Sequence, residues 1–120
     1  MYDHIGLRVK DIGASARFYA EALAPLGHVP GAKGEGYAGF GPKDAPALWL
    51  HAWDGKAGTG AHVCFKAPDR AAVDRFHAAG LKAGGRDNGK PGPRVDYGPT
   101  YYAAFLIDPD GNNVEAVCFA

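Results

Sequence analysis

One histidine-led stretch occurs twice in this chain, 58 residues apart, and that duplication limits the folds open to it more than any other feature. The first copy reads His4-Ile5-Gly6-Leu7-Arg8-Val9-Lys10-Asp11 and runs on through Arg17-Phe18-Tyr19 to Leu23. The second reads His62-Val63-Cys64-Phe65-Lys66-Ala67-Pro68-Asp69 and runs on through Arg75-Phe76-His77 to Leu81. No gap is needed. Beyond the histidines, Asp11 matches Asp69, Arg17 matches Arg75, Phe18 matches Phe76 and Leu23 matches Leu81. The chain therefore reads as two copies of one supersecondary unit.

Each copy opens with apolar and β-branched residues that predict a strand, at about 3–9 and about 61–67. Asp11 and Asp69 then stand where a carboxylate caps the free N–H groups of a helix and meets the positive end of its dipole. Ile12, Ala16, Tyr19, Leu23 and Leu26 recur at spacings of three and four, as do Val73, Phe76, His77, Gly80 and Leu81, so each helix has one apolar face. Gly27 and Gly84-Gly85 suit the helix ends. Short strands follow at about 35–40 and 46–53, and again at about 100–107 and 112–119. Asp108-Pro109-Asp110-Gly111-Asn112 joins the last pair as a tight turn. Glycine fourth and glutamate eighth from Asp108 do not suit a calcium loop, which needs them sixth and twelfth.

The predicted fold class is α+β: two pseudo-symmetric units, each βα followed by up to three strands, forming curved mixed sheets around a shared cleft. A single domain over 1–120 is expected, divided at about 1–57 and 58–120. The many glycines and prolines, clustered at 27–46, 54–60 and 84–99, read as turns.

Composition mainly excludes. Thirteen basic residues balance thirteen acidic ones, and Lys and Arg are scattered, so neither nucleic acid nor an anionic membrane is an expected partner. There is no apolar run near the length of a membrane span and no signal-peptide pattern, so the cytoplasm is the expected compartment. Cys64 and Cys118 lie in apolar strand-like runs and read as small hydrophobes rather than as a disulfide.

The chemistry-bearing residues follow from the repeat. Side chains alternate faces along a strand, so His4 and His62 occupy the same place in each copy, and pseudo-symmetry brings them toward one cleft. Glu115 interrupts the apolar run Val114-Glu115-Ala116-Val117-Cys118-Phe119. A buried carboxylate costs several kcal/mol unless paired or ligated, so a positive partner is expected beside it. Two imidazoles and a carboxylate form a donor set for a divalent metal, with Fe suiting oxygen chemistry and Zn, Ni or Mn suiting Lewis-acid chemistry. His77 lies on the apolar helical stripe and reads as a hydrogen-bonded core residue; His28 reads as a loop residue.

His4-Ile-Gly-Leu, the Asp11 to Phe18-Tyr19 helix, His62-Val-Cys-Phe and Asp108-Pro-Asp-Gly-Asn-Asn-Val-Glu115 together resemble vicinal-oxygen-chelate proteins, the glyoxalase, bleomycin-resistance and extradiol dioxygenase family, over essentially the whole chain. That resemblance implies paired βαβββ modules and a homodimer whose sheets help complete each site. It also implies a divalent metal (Fe, Zn, Ni or Mn) held by His4, His62 and Glu115, with Glu115 catalytic. In glyoxalase-like members a fourth carboxylate or amide ligand closes the first module. Here the matching position holds Trp49, with His51 two residues along on the same face as a possible substitute.

The small-molecule substrate is expected to meet Trp49, His51, Arg94, Tyr101 and Tyr102. Tyrosine can donate to a developing oxyanion and arginine can pair an anion, although tyrosines at 101 and 102 also suit simple packing. The resemblance leaves two activities open. One is a metal-dependent enzyme that chelates a small oxygen-bearing substrate. The other is a metal-free small-molecule or drug-binding protein of the bleomycin-resistance type.

Overall fold

A computed structural model describes residues 1–55 and 60–119. The element order is β1 (Ile5–Val9), α1 (Ile12–Leu23), a 3-10 turn (Ala24–Leu26), β2 (Val29–Gly34), β3 (Tyr37–Gly41), β4 (Leu48–Ala52), β5 (His62–Lys66), α2 (Arg70–Lys82), β6 (Arg86–Pro93), β7 (Tyr102–Ile107) and β8 (Asn113–Cys118). The result is α+β with two βαβββ modules, each forming a four-stranded mixed sheet. The strand orders are β1-β4-β3-β2 and β5-β8-β7-β6, with the first pair in each sheet parallel and the others antiparallel. The expected module boundary near residue 57 falls outside the described residues.

Both helices begin as the acidic caps predict. Asp11 accepts from the Ala14 N–H at 3.0 Å and Asp69 from the Ala72 N–H at 2.8 Å. Their apolar faces carry Phe18, Tyr19, Ala22 and Leu23 from α1 and Ala72, Val73 and Phe76 from α2 into one core. That core also takes Leu7, Val9, Leu48 and Leu50 from the first sheet and Ala104, Leu106, Val114 and Ala116 from the second. Alternation therefore gives each sheet a closed, helix-facing side and an open side. The two helices pack against each other. Gly80 lets α2 settle onto the second sheet beside α1, because a Cβ there would sit 2.2 Å from the Leu106 Cδ1 and 3.4 Å from the Phe18 ring.

Three expectations need correction. The glycine- and proline-rich stretches at 29–34 and 86–93 are strands, not turns. They lie at the outer edges of their sheets, where a proline without an N–H leaves no ladder bond unmade. Leu81, the partner of buried Leu23 in the repeat, is 41% exposed, so the second helix turns that residue to solvent. Cys64 is exposed on the open face, whereas Cys118 is buried as expected. Among the described residues no helix is long and apolar enough to cross a membrane.

The β7–β8 turn fastens the two modules together. Asp108 Oδ1 accepts from the N–H groups of Asp110 and Asn112, each at 2.8 Å, and Oδ2 accepts from the Asn112 amide at 3.0 Å and the Tyr19 hydroxyl at 2.5 Å. Asp110 accepts from the Ser15 hydroxyl at 2.7 Å and the Lys10 N–H at 2.9 Å. A second-module turn thus holds the first-module helix by its polar side. His77, buried on α2, lies 2.9 Å from Asp87 and is hydrogen-bonded as a core histidine should be.

Removing the Asp108 carboxylate strands four donors, two of them backbone. Asp108→Ala is expected to lower the unfolding free energy by about 2–4 kcal/mol in denaturant titrations. Tyr19 supplies a pH-dependent test. Burial first, then the Asp108 charge, raises its hydroxyl above the ordinary tyrosine range. The unfolded chain releases that proton near pH ~10 while the folded chain keeps it, so this contribution is complete below about pH 10 and is lost as pH climbs further. Tyr19→Phe should make the alkaline decline in stability shallower by one proton per molecule.

Candidate functional site

The open face of the second sheet gathers the groups that carry chemistry. Register pairs Cys64 with Glu115 across β5 and β8, and Phe105 with Glu115 across β7 and β8, so these three side chains share one face with His62. Glu115 is 2% exposed. Its Oε1 lies 2.9 Å from His62 Nε2, and its Oε2 accepts from the Tyr101 hydroxyl at 2.5 Å. The sequence calls for a positive partner, a divalent metal, beside this carboxylate; the described residues that meet its two oxygens are His62 and Tyr101. Tyr101 is braced edge-on by Tyr97 and Phe119, with ring centroids 5.3 and 5.4 Å away. Burial, reinforced by the Glu115 hydrogen bond and charge, pushes the Tyr101 hydroxyl upward, so it is a firm proton donor. The Cys64 thiol, within hydrogen-bonding reach of Glu115 and Tyr101, is pushed up to about 12 by burial and by the Glu115 charge.

Applying the repeat to the registers identifies the counterparts in the first sheet. Glu115 faces Cys64, and Trp49 faces Gly6 at the equivalent rung, so Trp49 stands where the second module has its carboxylate. Trp49 shares the open face with His51, Tyr37, Gly39, Gly6 and Arg8. Its ring lies over Gly39, where a Cβ would be 2.7 Å from Cζ3. His51 neighbours Arg8 on this face, and the Arg8 guanidinium stacks 4.0 Å from the Trp53 ring centroid.

His4 lies just before β1, more than half exposed, with Nδ1 2.7 Å from Asp3. A cavity of about 180 Å³, bordered by His4, His28, Phe40, Leu48, Val63 and Cys64, separates the start of β1 from β5. His62 and Glu115 are brought together. Among the described residues, no group of three or more His, Cys, Asp or Glu is arranged to hold a metal ion within one chain.

The other candidate residues separate. Tyr101 reaches Glu115, whereas Tyr102 points to the helix side, donating to Asp74 at 2.7 Å beneath Arg70. Alternation requires this split between adjacent residues. Arg94 lies over Phe105, near the site, but its guanidinium donates to the backbone oxygens of Lys90, Gly92 and Pro93, so it braces the β6 loop. Two residues went unremarked as site members. Cys64 had been read as a structural hydrophobe, yet its parity with His62 puts it on the same face. Arg8 has that parity with His4.

The fold and this face define the class: a paired βαβββ protein with a histidine–carboxylate pair on an open sheet. The model of the glyoxalase/bleomycin resistance protein/dioxygenase superfamily matches residues 2–116, and the chain belongs to that superfamily. It is similar to the crystal structure of a glyoxalase/bleomycin resistance protein from Albidiferax ferrireducens, at 30% identity and TM-score 0.84, covering 98% of this chain and 97% of that one. A glyoxalase/bleomycin resistance protein/dioxygenase family enzyme from Burkholderia phytofirmans is similar at 17% identity and TM-score 0.76, with 98% of each chain covered. A glyoxalase-related enzyme from Fulvimarina pelagi is similar at 20% identity and TM-score 0.75, covering 98% of this chain and 86% of that one. No curated protein matches.

The contact of Trp49 with Gly39 gives a direct test of the first-sheet face. Gly39→Ala should lift the indole off the sheet, shift tryptophan emission to longer wavelength and cost about 1–3 kcal/mol in denaturant titrations. An unchanged spectrum and stability would mean that Trp49 does not lie over that glycine.

Proposed function

We propose that the chain is a metal-dependent enzyme acting on a small oxygen-bearing substrate. In this reading His62 and Glu115 of one copy combine with His4 of a second copy around a divalent metal. The observation that carries it is the His62–Glu115 pair, an imidazole nitrogen and a carboxylate oxygen 2.9 Å apart on neighbouring strands. The donor set also fits in its outer partners. Asp3 engages Nδ1 of His4, leaving Nε2 free, and Tyr101 holds the second oxygen of Glu115. Such carboxylate and hydroxyl supports fix ligand orientation in metal sites. Trp49 has no lone pair to offer, and His51 beside it on the same face is the remaining nitrogen donor.

A bound divalent metal would supply Lewis-acid polarisation of vicinal substrate oxygens. The chain's own residues do the rest. Tyr101 keeps Glu115 in one orientation and holds a proton within reach of an oxygen that gains charge. Phe105, Tyr97 and Phe119 set aromatic rings around the His62–Glu115–Tyr101 group. Val95, Tyr97 and Phe119, all more than half exposed, form an apolar rim near Tyr101, as a homodimer that completes the site would need.

A second reading is favoured by one observation: Glu115 is already hydrogen-bonded at both oxygens, as a metal-free binding protein of the bleomycin-resistance type would require. Metal analysis of protein purified without chelator separates the two. The enzyme reading expects about one divalent metal per chain, and loss of most of it in Glu115→Gln or His4→Ala. Mixed dimers of those two variants should recover one intact site per dimer. Wild-type protein that takes up no Fe, Zn, Ni or Mn would leave only the binding reading.

A further inference from the structure

Arg8 is an arginine on an open sheet face. It stacks on Trp53, and among the described residues no carboxylate forms an ion pair with it. The described side chains sharing its face include His51, Trp49 and Tyr37, none acidic, and Glu35 and Asp54 in the flanking turns form no ion pair with it. Stacking fixes the guanidinium plane and leaves its N–H edges free, the arrangement that suits bidentate recognition of a planar carboxylate.

The surroundings add shape to that charge. Gly6, two residues before Arg8 on the same face, carries no side chain, and a Cβ there would meet only the His51 ring, at 3.8 Å. The sheet surface is therefore bare at that rung, with the His51 ring bordering it. Trp49 faces Gly6 directly across the strands, and Tyr37 stands 6.4 Å from Trp49 at a 46° tilt. An aromatic body fits against those two rings, and an anion fits the guanidinium beside them. We propose that this face binds a small aromatic carboxylic acid, with Arg8 on the carboxylate and Trp49 and Tyr37 against the ring.

Such an acid would be the substrate if the chain is the metal enzyme proposed above, and Arg8 would bind it whether or not metal is present. The two ideas can therefore fail separately. Titrate metal-free protein with benzoate, following heat and tryptophan fluorescence. Saturable binding is expected, with Arg8→Gln weakening it about tenfold or more, the usual loss for a charge-assisted hydrogen-bonded contact. Arg8→Lys, which keeps the charge without the fork, should fall between, and serves if Arg8→Gln does not fold. Benzamide, which keeps the ring without the charge, should bind no better to wild type than benzoate binds to Arg8→Gln.

Equal benzoate affinity in wild type and the Arg8 variants would overturn the proposal, as would benzamide binding as well as benzoate. So would an Arg8→Gln protein that changes its sedimentation from dimer to monomer, because the guanidinium would then belong to a subunit contact. Benzoate binding through Arg8 in a wild-type protein that takes up no Fe, Zn, Ni or Mn would sustain this site while removing the enzyme reading.

Discussion

Asp108 is the constraint on which the rest of the arrangement depends. A buried carboxylate that satisfies two backbone N–H groups, an amide and a tyrosine hydroxyl must keep all four in place, or leave donors stranded in a medium that cannot solvate them. The turn it organises starts β8 at Asn113. Because β8 carries Glu115 two residues later, the turn sets the register that places the carboxylate opposite Cys64 and Phe105. Through Tyr19 and Ser15, the same turn fixes the second module to the first helix. The site chemistry and the module packing thus share one hydrogen-bonded hub.

Alternation then divides the labour. Along every inner strand one set of side chains enters the common core and the other is left facing outward. The closed sides of both sheets are almost wholly aliphatic and aromatic. The open sides carry the histidines, the thiol, the carboxylate, Arg8 and the exposed tryptophan cluster. Duplication has kept the scaffold and let the two open faces diverge. One has a buried carboxylate held by Tyr101 and His62. The other has an indole lying over glycine, with a stacked guanidinium beside it. The two faces thus differ in chemistry although they share one scaffold.

Much of this could be read beforehand from particular residues. The repeat located β1, α1, β5 and α2, Asp11 and Asp69 marked the helix starts, and the DPDGN turn marked the last hairpin. The match of Trp49 to Glu115 is upheld by the registers. What escaped was of one kind. Strands β2 and β6 are rich in Gly and Pro and carry no alternation, because as edge strands they need neither a full ladder nor two packed faces. The roles of Tyr101 against Tyr102, and of Arg94 as a loop brace, depend on where a strand starts and on which carbonyls lie within reach. Composition does not encode either.

By itself, the order of amino acids determined that two like units exist, where their helices begin, and that His4 and His62 stand at corresponding places. It could do so because caps, turns and apolar periodicity act over a few residues and leave a local mark. Only the tertiary structure decided that Glu115 is hydrogen-bonded to Tyr101 and His62, that His4 stays with Asp3, and that Arg8 stands against Trp53 with no ion pair among the described residues. Those outcomes follow from packing between segments distant in the chain, where burial and hydrogen-bond reach are set by neighbours that no local pattern names.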